Sequence, residues 1–310
     1  RLSEKMRSKF IVFGLLAGAL FTGVIATLGA TFVWENGEHY AIYYTVRGQM
    51  GDAITAEAGL RWDEQTYGVD SDDQLGPRLN VAWRLSDRTR LLASWGRFQQ
   101  FQGIEELPVE DGVSEFSRAQ QADHAIVGLE HSFEHGVALR VEAYDKHYRR
   151  PQTRYENLYD PLSLAPELRW DRVAIAPDSA VAQGLEWLLT LHPDDGWNAW
   201  ASYALARVRD RVEGRDVRRS WDQTHTLNAG LTWDSGPWSA TLGNTFQSGY
   251  VDVLPDGNGN LRRVSSMSLW DLQGTYRGWK NVALTVGVKN LLDTDPPQSN
   301  QGNSFQVGFD

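Results

Sequence analysis

Val137-Ala-Leu-Arg-Val-Glu-Ala-Tyr144 sets Val137, Leu139, Val141 and Ala143 against Ala138, Arg140, Glu142 and Tyr144. Side chains of an extended chain point to opposite faces in turn, so this stretch has one apolar face and one mostly polar face. The rhythm returns in Ala56, Ala58, Leu60, Trp62; in Leu79, Val81, Trp83, Leu85; and in Leu185, Trp187, Leu189, Leu191. It continues in Leu227, Ala229, Leu231, Trp233 and in Val282, Leu284, Val286, Val288. About twelve strands follow Asp52, with an extra one at His39 to Val46, most near the roughly ten residues that a tilted strand needs to cross lipid.

Periodicity alone leaves two readings open. In a soluble sandwich the apolar faces meet in a core and Arg61, Asp63, Arg78, Asn80, Arg84, Arg140, Glu142, Glu186, Asn228, Gln273 and Lys289 face outside water. In a barrel the same polar residues line a wet lumen and the apolar ones touch lipid. The connections favour the barrel. Close turns around Ser86 and Asp87, Glu134 to Gly136, Pro193 to Gly196, Asp234 to Gly236 and Gly278 to Lys280 alternate with long polar ones. The long ones run from Glu64 to Gly76, Gln99 to Gln121, His147 to Ala180, Arg207 to Gln223, Ser248 to Ser266 and Leu292 to Asn303. Short turns at one end and long loops at the other are the habit of outer-membrane barrels. Trp62, Trp83, Trp187, Trp233 and Trp238 lie near predicted strand ends, where an aromatic ring can straddle a bilayer interface. The expected fold is all-β: an antiparallel transmembrane β-barrel, partial at about 12 to 13 strands, preceded by one hydrophobic helix.

The 310 residues carry a formal charge of −10, which argues against a nucleic-acid partner. Mean hydropathy of −0.44 resembles that of a soluble protein, but a barrel has half of each strand facing water and polar loops besides. Cysteine is absent, so there is no disulfide framework, thiol nucleophile or thiolate metal site. Thirteen tryptophans suit a core or the two aromatic girdles of a membrane barrel.

Phe10 to Trp34 is almost wholly apolar and follows Lys5, Arg7 and Lys9. Residues 1–34 therefore read as a signal peptide, with small Gly29 and Ala30 where cleavage could fall, or as a retained membrane-anchor helix with Gly14 and Gly18 at helix-contact spacing. A segment joined by rearrangement or gene-model error is the third reading. Residues 35–51 follow as a connector or extra strand, and 52–310 as the barrel.

Several blocks resemble the barrel portion of TonB-dependent receptors. They are Leu75-Gly-Pro-Arg-Leu-Asn-Val-Ala-Trp83, Ser94-Trp-Gly-Arg-Phe-Gln-Gln100, Ala122-Asp-His-Ala-Ile-Val-Gly-Leu-Glu130, Ala182-Gln-Gly-Leu-Glu-Trp187, Arg219-Ser-Trp-Asp-Gln-Thr-His225 and Val288-Lys-Asn-Leu-Leu-Asp-Thr-Asp-Pro-Pro297. The last is the most specific, through its Asn-Leu-Phe-Asp-like run and prolines before a final strand. The resemblance implies a cell outer membrane receptor and transporter for a scarce ligand (iron chelate, cobalamin or glycan), hence siderophore uptake as one role. It also implies membrane lipid and lipopolysaccharide as surroundings, and the TonB complex as partner only if a plug domain is supplied. The chain departs from the family pattern. Between Trp34 and Asp52 there is no room for a plug, the strand count falls short of about 22 for a full transporter barrel, and the run Phe305-Gln-Val-Gly-Phe-Asp310 does not end on an aromatic residue. The reading is a carboxy-terminal barrel part, cut at both ends or fused to a foreign leader, and not active alone.

Candidate ligand-binding residues sit in the external connections: Arg149, Arg150, Arg154, Tyr155, Arg169, Trp170, Arg207 and Arg219. Guanidinium pairs and aromatic rings suit an anionic small molecule of unknown identity. The plainer reading pairs them with Glu156, Asp160, Glu167, Asp171, Asp210, Glu213 and Asp216, or sets them against lipopolysaccharide phosphates. Trp221, Asp222, His225, Asn290, Asp293, Pro296 and Pro297 are structural by resemblance, Asp222 and His225 fixing a loop to the wall. No metal or cofactor is expected: the seven histidines lack HExxH spacing, and Asp256-Gly-Asn-Gly-Asn260 has Met267 where a calcium loop needs glutamate. No residue set places a hydrolase centre. A passive channel or adhesion barrel, and a soluble periplasmic β domain on a membrane anchor, stand as alternatives.

Overall fold

The computed structural model describes residues 15–16, 25–35, 37–68, 73–103, 106, 115–157, 170–193, 196–219, 222–255, 261–294 and 304–309. The strands are β1 (Leu15–Leu16), β2 (Ile25–Glu35), β3 (Gly37–Met50), β4 (Ile54–Gln65), β5 (Gln74–Ser86), β6 (Thr89–Gln100), β7 (Gln120–Ser132) and β8 (Val137–Arg149). They continue as β9 (Arg154–Asn157), β10 (Arg172–Ile175), β11 (Ser179–Leu191), β12 (Trp197–Val212), β13 (Arg215–Arg218), β14 (His225–Ser235) and β15 (Trp238–Gln247). The last are β16 (Val251–Pro255), β17 (Leu261–Arg263), β18 (Met267–Trp279), β19 (Val282–Lys289) and β20 (Ser304–Phe309).

One sixteen-stranded sheet holds all but two small hairpins, β9–β10 and β16–β17, and its path runs from β1 to β20 in chain order. Pairing is antiparallel throughout, in long unshifted registers such as Leu185↔Ala143 on one side of β11 and Leu185↔Leu205 on the other. A pure meander needs only local connections, so each strand's backbone groups are met by its sequence neighbours. Among the described residues β1 and β20 are not paired with each other.

Turn chemistry separates the two ends of the sheet. The β7–β8 turn places His135 at φ 59° and Gly136 at φ 70°, and the Gly136 carbonyl accepts a bond of 2.9 Å from the next hairpin's His192 N–H. The β18–β19 turn holds Asn281 at φ 63°. At the opposite end the connections carry their own hairpins, β9–β10 and β16–β17, and the β12–β13 extension.

Burial decides between the two readings left open by periodicity. The buried apolar residues among those described are Ala41, Ala119, Ala122, Ala180, Ala182 and Val264, none of them large. Leu79 is 46% exposed and Val127 55%, whereas the most deeply buried large side chains are polar, Gln74 and Asp210. A stacked sandwich would have its leucines and valines inside. Here they form one exposed apolar face, and an apolar surface on this scale must meet hydrocarbon. Aromatic rings border it near the short turns: Trp197 lies 6.3 Å from Trp233, Trp238 4.5 Å from Tyr276, and Tyr276 5.0 Å from Trp279. A second group, with Trp187 stacked at 4.9 Å on Tyr203, lies farther up the strands.

The expected helix over 10–34 is corrected where the chain is described. Ile25–Glu35 is a strand, paired with β3 from Ile25↔Arg47 to Glu35↔Gly37. No helix among the described residues is long and apolar enough to cross a membrane. An unbroken apolar run does not by itself distinguish helix from strand. This one carries β-branched Ile25, Thr27, Thr31 and Val33, which favour strands. The remainder of 1–34 lies outside the described residues. The segment 35–51 is strand rather than connector, since β3 spans Gly37–Met50. The connections beginning at His147 and Arg207 start later than expected, because β8 runs to Arg149 and β12 to Val212.

Candidate functional site

At the long-loop end, the β9–β10 hairpin folds against β12. Arg154 Nη1 lies 2.7 Å from an Asp210 carboxylate oxygen, and its Nε and Nη2 donate to Glu156 Oε1, each at 3.2 Å. From the other side, Arg219 Nε donates to both Asp210 oxygens at 3.1 Å and Nη2 to one at 3.0 Å. The Asp210 side chain is 2% exposed, against 24% for Arg154 and 27% for Arg219. Two guanidinia and two carboxylates balance in charge, which is the condition for burying such groups. Beside them the Arg172 guanidinium sits 5.9 Å from the centre of the Tyr155 ring, and Trp170 stands 85% exposed.

Arg149, the last residue of β8, reaches Asp123 at 3.1 Å, and Arg97 reaches the same carboxylate at 2.7 Å. Arg150, at φ 53°, donates to Gln121 at 3.4 Å. Arg207 lies in β12, not in a loop, with its side chain exposed. Arg169, Trp221, Pro296, Pro297 and Asp256 to Asn260 lie outside the described residues.

Of the residues assigned structure by resemblance, Asp222, His225, Asn290 and Asp293 lie among the described residues. Asp222 accepts from Arg218 Nε at 2.8 Å, and its N–H donates to the Arg219 carbonyl at 3.2 Å. His225 meets the Tyr203 hydroxyl at 2.6 Å, and its backbone N–H donates to Ser248 Oγ at 3.0 Å. Asn290, at φ 53°, donates to the Thr294 carbonyl at 2.8 Å and accepts the Thr294 N–H at 2.9 Å. Asp293, at φ 52°, donates its N–H to the Asn290 carbonyl at 3.0 Å.

The polar face of the sheet is a lattice of opposite charges. Arg140 is 2.6 Å from Glu142 and 3.6 Å from Glu130, which also holds Arg90. Asn80 donates to Glu57 at 3.3 Å. A cavity of about 460 Å³ opens there, lined by Arg47, Glu57, Asn80, Ser94, Arg140 and Glu142 among others. Near the long-loop end of the same face, Arg61 grips Asp63 through two bonds of 2.7 Å, and His39 joins at 3.1 Å. Such a face suits contact with water rather than lipid. Among the described residues no group of three or more His, Asp or Glu could hold a metal ion.

The sequence offered Asp210 only as one counter-charge among several. Its organising role comes from alternation: between Arg209 and Arg211 it alone projects from the opposite face of β12. Asp123 and the half-exposed Trp200, which lies over Gly230 on the polar face, were equally unmarked.

Residues 17–291 match the family model described as TonB dependent receptor-like, beta-barrel. No curated protein matches the sequence. Among solved structures, the chain is similar to a ferric enterobactin receptor of Pseudomonas aeruginosa in complex with enterobactin, with TM-score 0.73, 17% identity, and coverage of 96% of this chain and 52% of that one. It is similar to the FrpB iron transporter of Neisseria meningitidis (0.72, 13%, 97% and 54%) and to the siderophore receptor PirA of Acinetobacter baumannii (0.70, 13%, 97% and 53%). The chain thus spans about half the length of the receptors it resembles.

Proposed function

Because the chain belongs to the TonB-dependent receptor-like β-barrel family, a family of outer-membrane proteins, we propose that it forms part of a receptor wall whose external mouth captures a scarce anionic chelate of the siderophore type. Import against a gradient, across a membrane with no nucleotide pool beside it, requires work delivered from elsewhere. In this reading TonB delivers that work through a plug segment, and the wall described here supplies the capture surface and the polar passage. An unpaired edge in hydrocarbon costs several kcal/mol per unsatisfied backbone group, so in this reading the outer edges of β1 and β20 are paired, with each other or with other strands.

The observation that carries the reading is the set of guanidinia and rings at the mouth. Arg154 and Arg219 meet at Asp210, Arg172 lies over Tyr155, and Trp170 is open to solvent. An anionic chelate built from aromatic rings is recognised by guanidinium donors to its oxygens and by stacking on its rings. It would compete with Asp210 and Glu156 for the same donors, so binding would loosen the β9–β10 hairpin from β12.

The full chain, refolded in detergent and titrated with a ferric tris-catecholate, is expected to show quenching of tryptophan fluorescence. Arg154→Gln with Arg219→Gln should weaken binding by about a hundredfold, near tenfold for each charge-assisted bond lost. Equal affinity in that variant would remove the site. Binding of cobalamin or an oligosaccharide instead would change the substrate class, and stable conductance in planar bilayers without ligand would favour a passive channel.

A further inference from the structure

Three basic side chains stand on one register line of the polar face, toward the long-loop end of β5 to β8. The pairings Arg78↔Gly96, Gly96↔His124 and His124↔Lys146 set them level across four strands, with Gly96 the one position that offers no side chain. The ring of Phe98 lies back over that gap, and a Cβ at Gly96 would meet it at 3.0 Å. Its centre is 4.8 Å from the Arg78 guanidinium and 4.6 Å from the His124 ring. On the far side Tyr148 stands edge-on to His124 at 6.1 Å, and Lys146 Nζ lies 4.7 Å from the centre of the Tyr144 ring. Cations and rings therefore alternate along one strip of the lumen wall.

What sets this strip apart is the lack of counter-charge. Lower on the same face the cations are matched, Arg90 and Arg140 by Glu130, and Arg140 again by Glu142. Arg61, to one side, is held by Asp63. Among the described residues Arg78 and Lys146 make no ion pair or hydrogen bond. Their neighbours on the register line are Gly59, Gly96, His124 and Ala182, none of them acidic. Asp123, next to His124 in sequence, projects from the other face and is taken by Arg97 and Arg149. His124 Nε2 is shut off from solvent and has no hydrogen-bond partner among the described residues. A nitrogen left in that state is costly unless a group from outside meets it.

We propose that Arg78, His124 and Lys146 form a site for one aromatic ring bearing an oxyanion, of the hydroxybenzoate class. His124 and Lys146 are one strand apart, about 5 Å, so a single carboxylate can take a bond from both. Arg78 lies two strands from His124, about 10 Å, where it reaches a hydroxyl at the other end of the ring. The ring lies over the Gly96 gap against Phe98, which supplies stacking. Binding turns the part-buried Tyr148 ring aside and gives His124 Nε2 its partner. The strip lies two residues down the strands from the Asp210 joint, on Val208's register line through Ala182. It rests on the polar face enclosing the lumen and not on the uptake reading.

The test dialyses the full chain, refolded in neutral detergent, against labelled para-hydroxybenzoate. Cyclohexanecarboxylate serves as charge without an aromatic ring, and phenol as a ring without charge. The parent should prefer para-hydroxybenzoate to either by about fivefold. R78Q with K146Q is expected to weaken its binding about a hundredfold, near tenfold for each charge-assisted bond lost. H124F keeps a ring and removes the nitrogen, for a loss of about fivefold. F98L should erase the preference over cyclohexanecarboxylate. R84Q, which removes a cation of the same face bonded to the Asp52 carbonyl, should bind as the parent does. Equal binding of the three probes, or unchanged affinity in the R78Q and K146Q variant, overturns the proposal. A heat-modifiable band on unboiled gels reports folding separately. If the double variant loses that band, H124F and F98L decide, and unchanged affinity and preference in both is decisive against the site. A ferric tris-catecholate added to the loaded protein separates two sources with the site intact: displacement assigns the strip to one arm of a chelate, joint binding to a free aromatic acid. Binding of para-hydroxybenzoate with none of the tris-catecholate would keep the site and remove the uptake reading.

Discussion

Arg154 and Asp210 are 56 residues apart in sequence, yet their side chains meet at 2.7 Å and fasten the β9–β10 hairpin to the inner side of β12. Asp210 is the buried member and Arg219 closes it from the other side, so the carboxylate is a joint between two loop systems. Replacing it by asparagine leaves two guanidinia facing each other with only Glu156 as counter-charge. The expected loss is about 2 kcal/mol, below the value for a fully buried pair because both arginines reach solvent. Amide exchange in residues 154–157 and 172–175 should accelerate while that of β14 and β15 stays slow. Equal protection of the hairpin in parent and variant would show that the joint does not hold it.

Val127 and Ser94 test the two faces. Val127 belongs to the exposed apolar face of β7, and Ser94 to the polar face of β6, lining the cavity with Glu57 and Glu142. Val127→Arg should cost about 2 to 4 kcal/mol in a bilayer and abolish the heat-modifiable band. Ser94→Arg should leave it intact. Reversal of this order would put lipid on the wrong side of the sheet.

Trp200 lies across Gly230 on the facing strand, and a Cβ added at Gly230 would run into the indole. Gly230→Val should displace the ring at a cost of about 1 to 3 kcal/mol, the usual range for overpacking. Removing the ring as well, in Gly230→Val with Trp200→Ala, should recover most of that loss, because the clash needs both groups. Additive losses in denaturant midpoints would contradict the contact.

Asn290 combines a positive φ with two side-chain bonds to Thr294 and a backbone bond of 2.8 Å to Asp271. Asn290→Ala loses both side-chain bonds and keeps the strained backbone, for about 2 kcal/mol. Asn290→Gly relieves the backbone but not the bonds, so it should fall between parent and alanine. A glycine variant less stable than the alanine one, by thermal unfolding, would refute this account.

Much of this molecule was legible before any coordinates. Val137 to Tyr144 announces its strand because the side-chain period of a strand is two, and β8 follows that rhythm through Arg149. The close turns at Ser86, Glu134 and Gly278 were readable from Gly, Asp and Asn at positions where the backbone must reverse. Twelve main-path strands after Asp52, β4 to β8, β11, β12, β14, β15 and β18 to β20, match the expected number. The Ile25–Glu35 strand was not legible, since an apolar run of that length satisfies a helix and a strand equally until a partner strand is known. At the mouth, residue types were readable but pairings were not. Nothing in sequence distinguishes Asp210, which binds Arg154 and Arg219, from Asp216, which stands exposed.

The sequence by itself determined which residues share a face, because alternation along an extended chain is a local property. It also determined which end of each hairpin turns tightly, because positive-φ positions require particular residues. Only the tertiary structure decided which face is dry. That depends on whether the apolar sides of distant strands find one another, and here they do not: Leu79 and Val127 stay open and small alanines fill what little interior there is. It also decided which guanidinia are neutralised, Arg154 and Arg219 at Asp210 among them, since a charge pair is settled by distance in space.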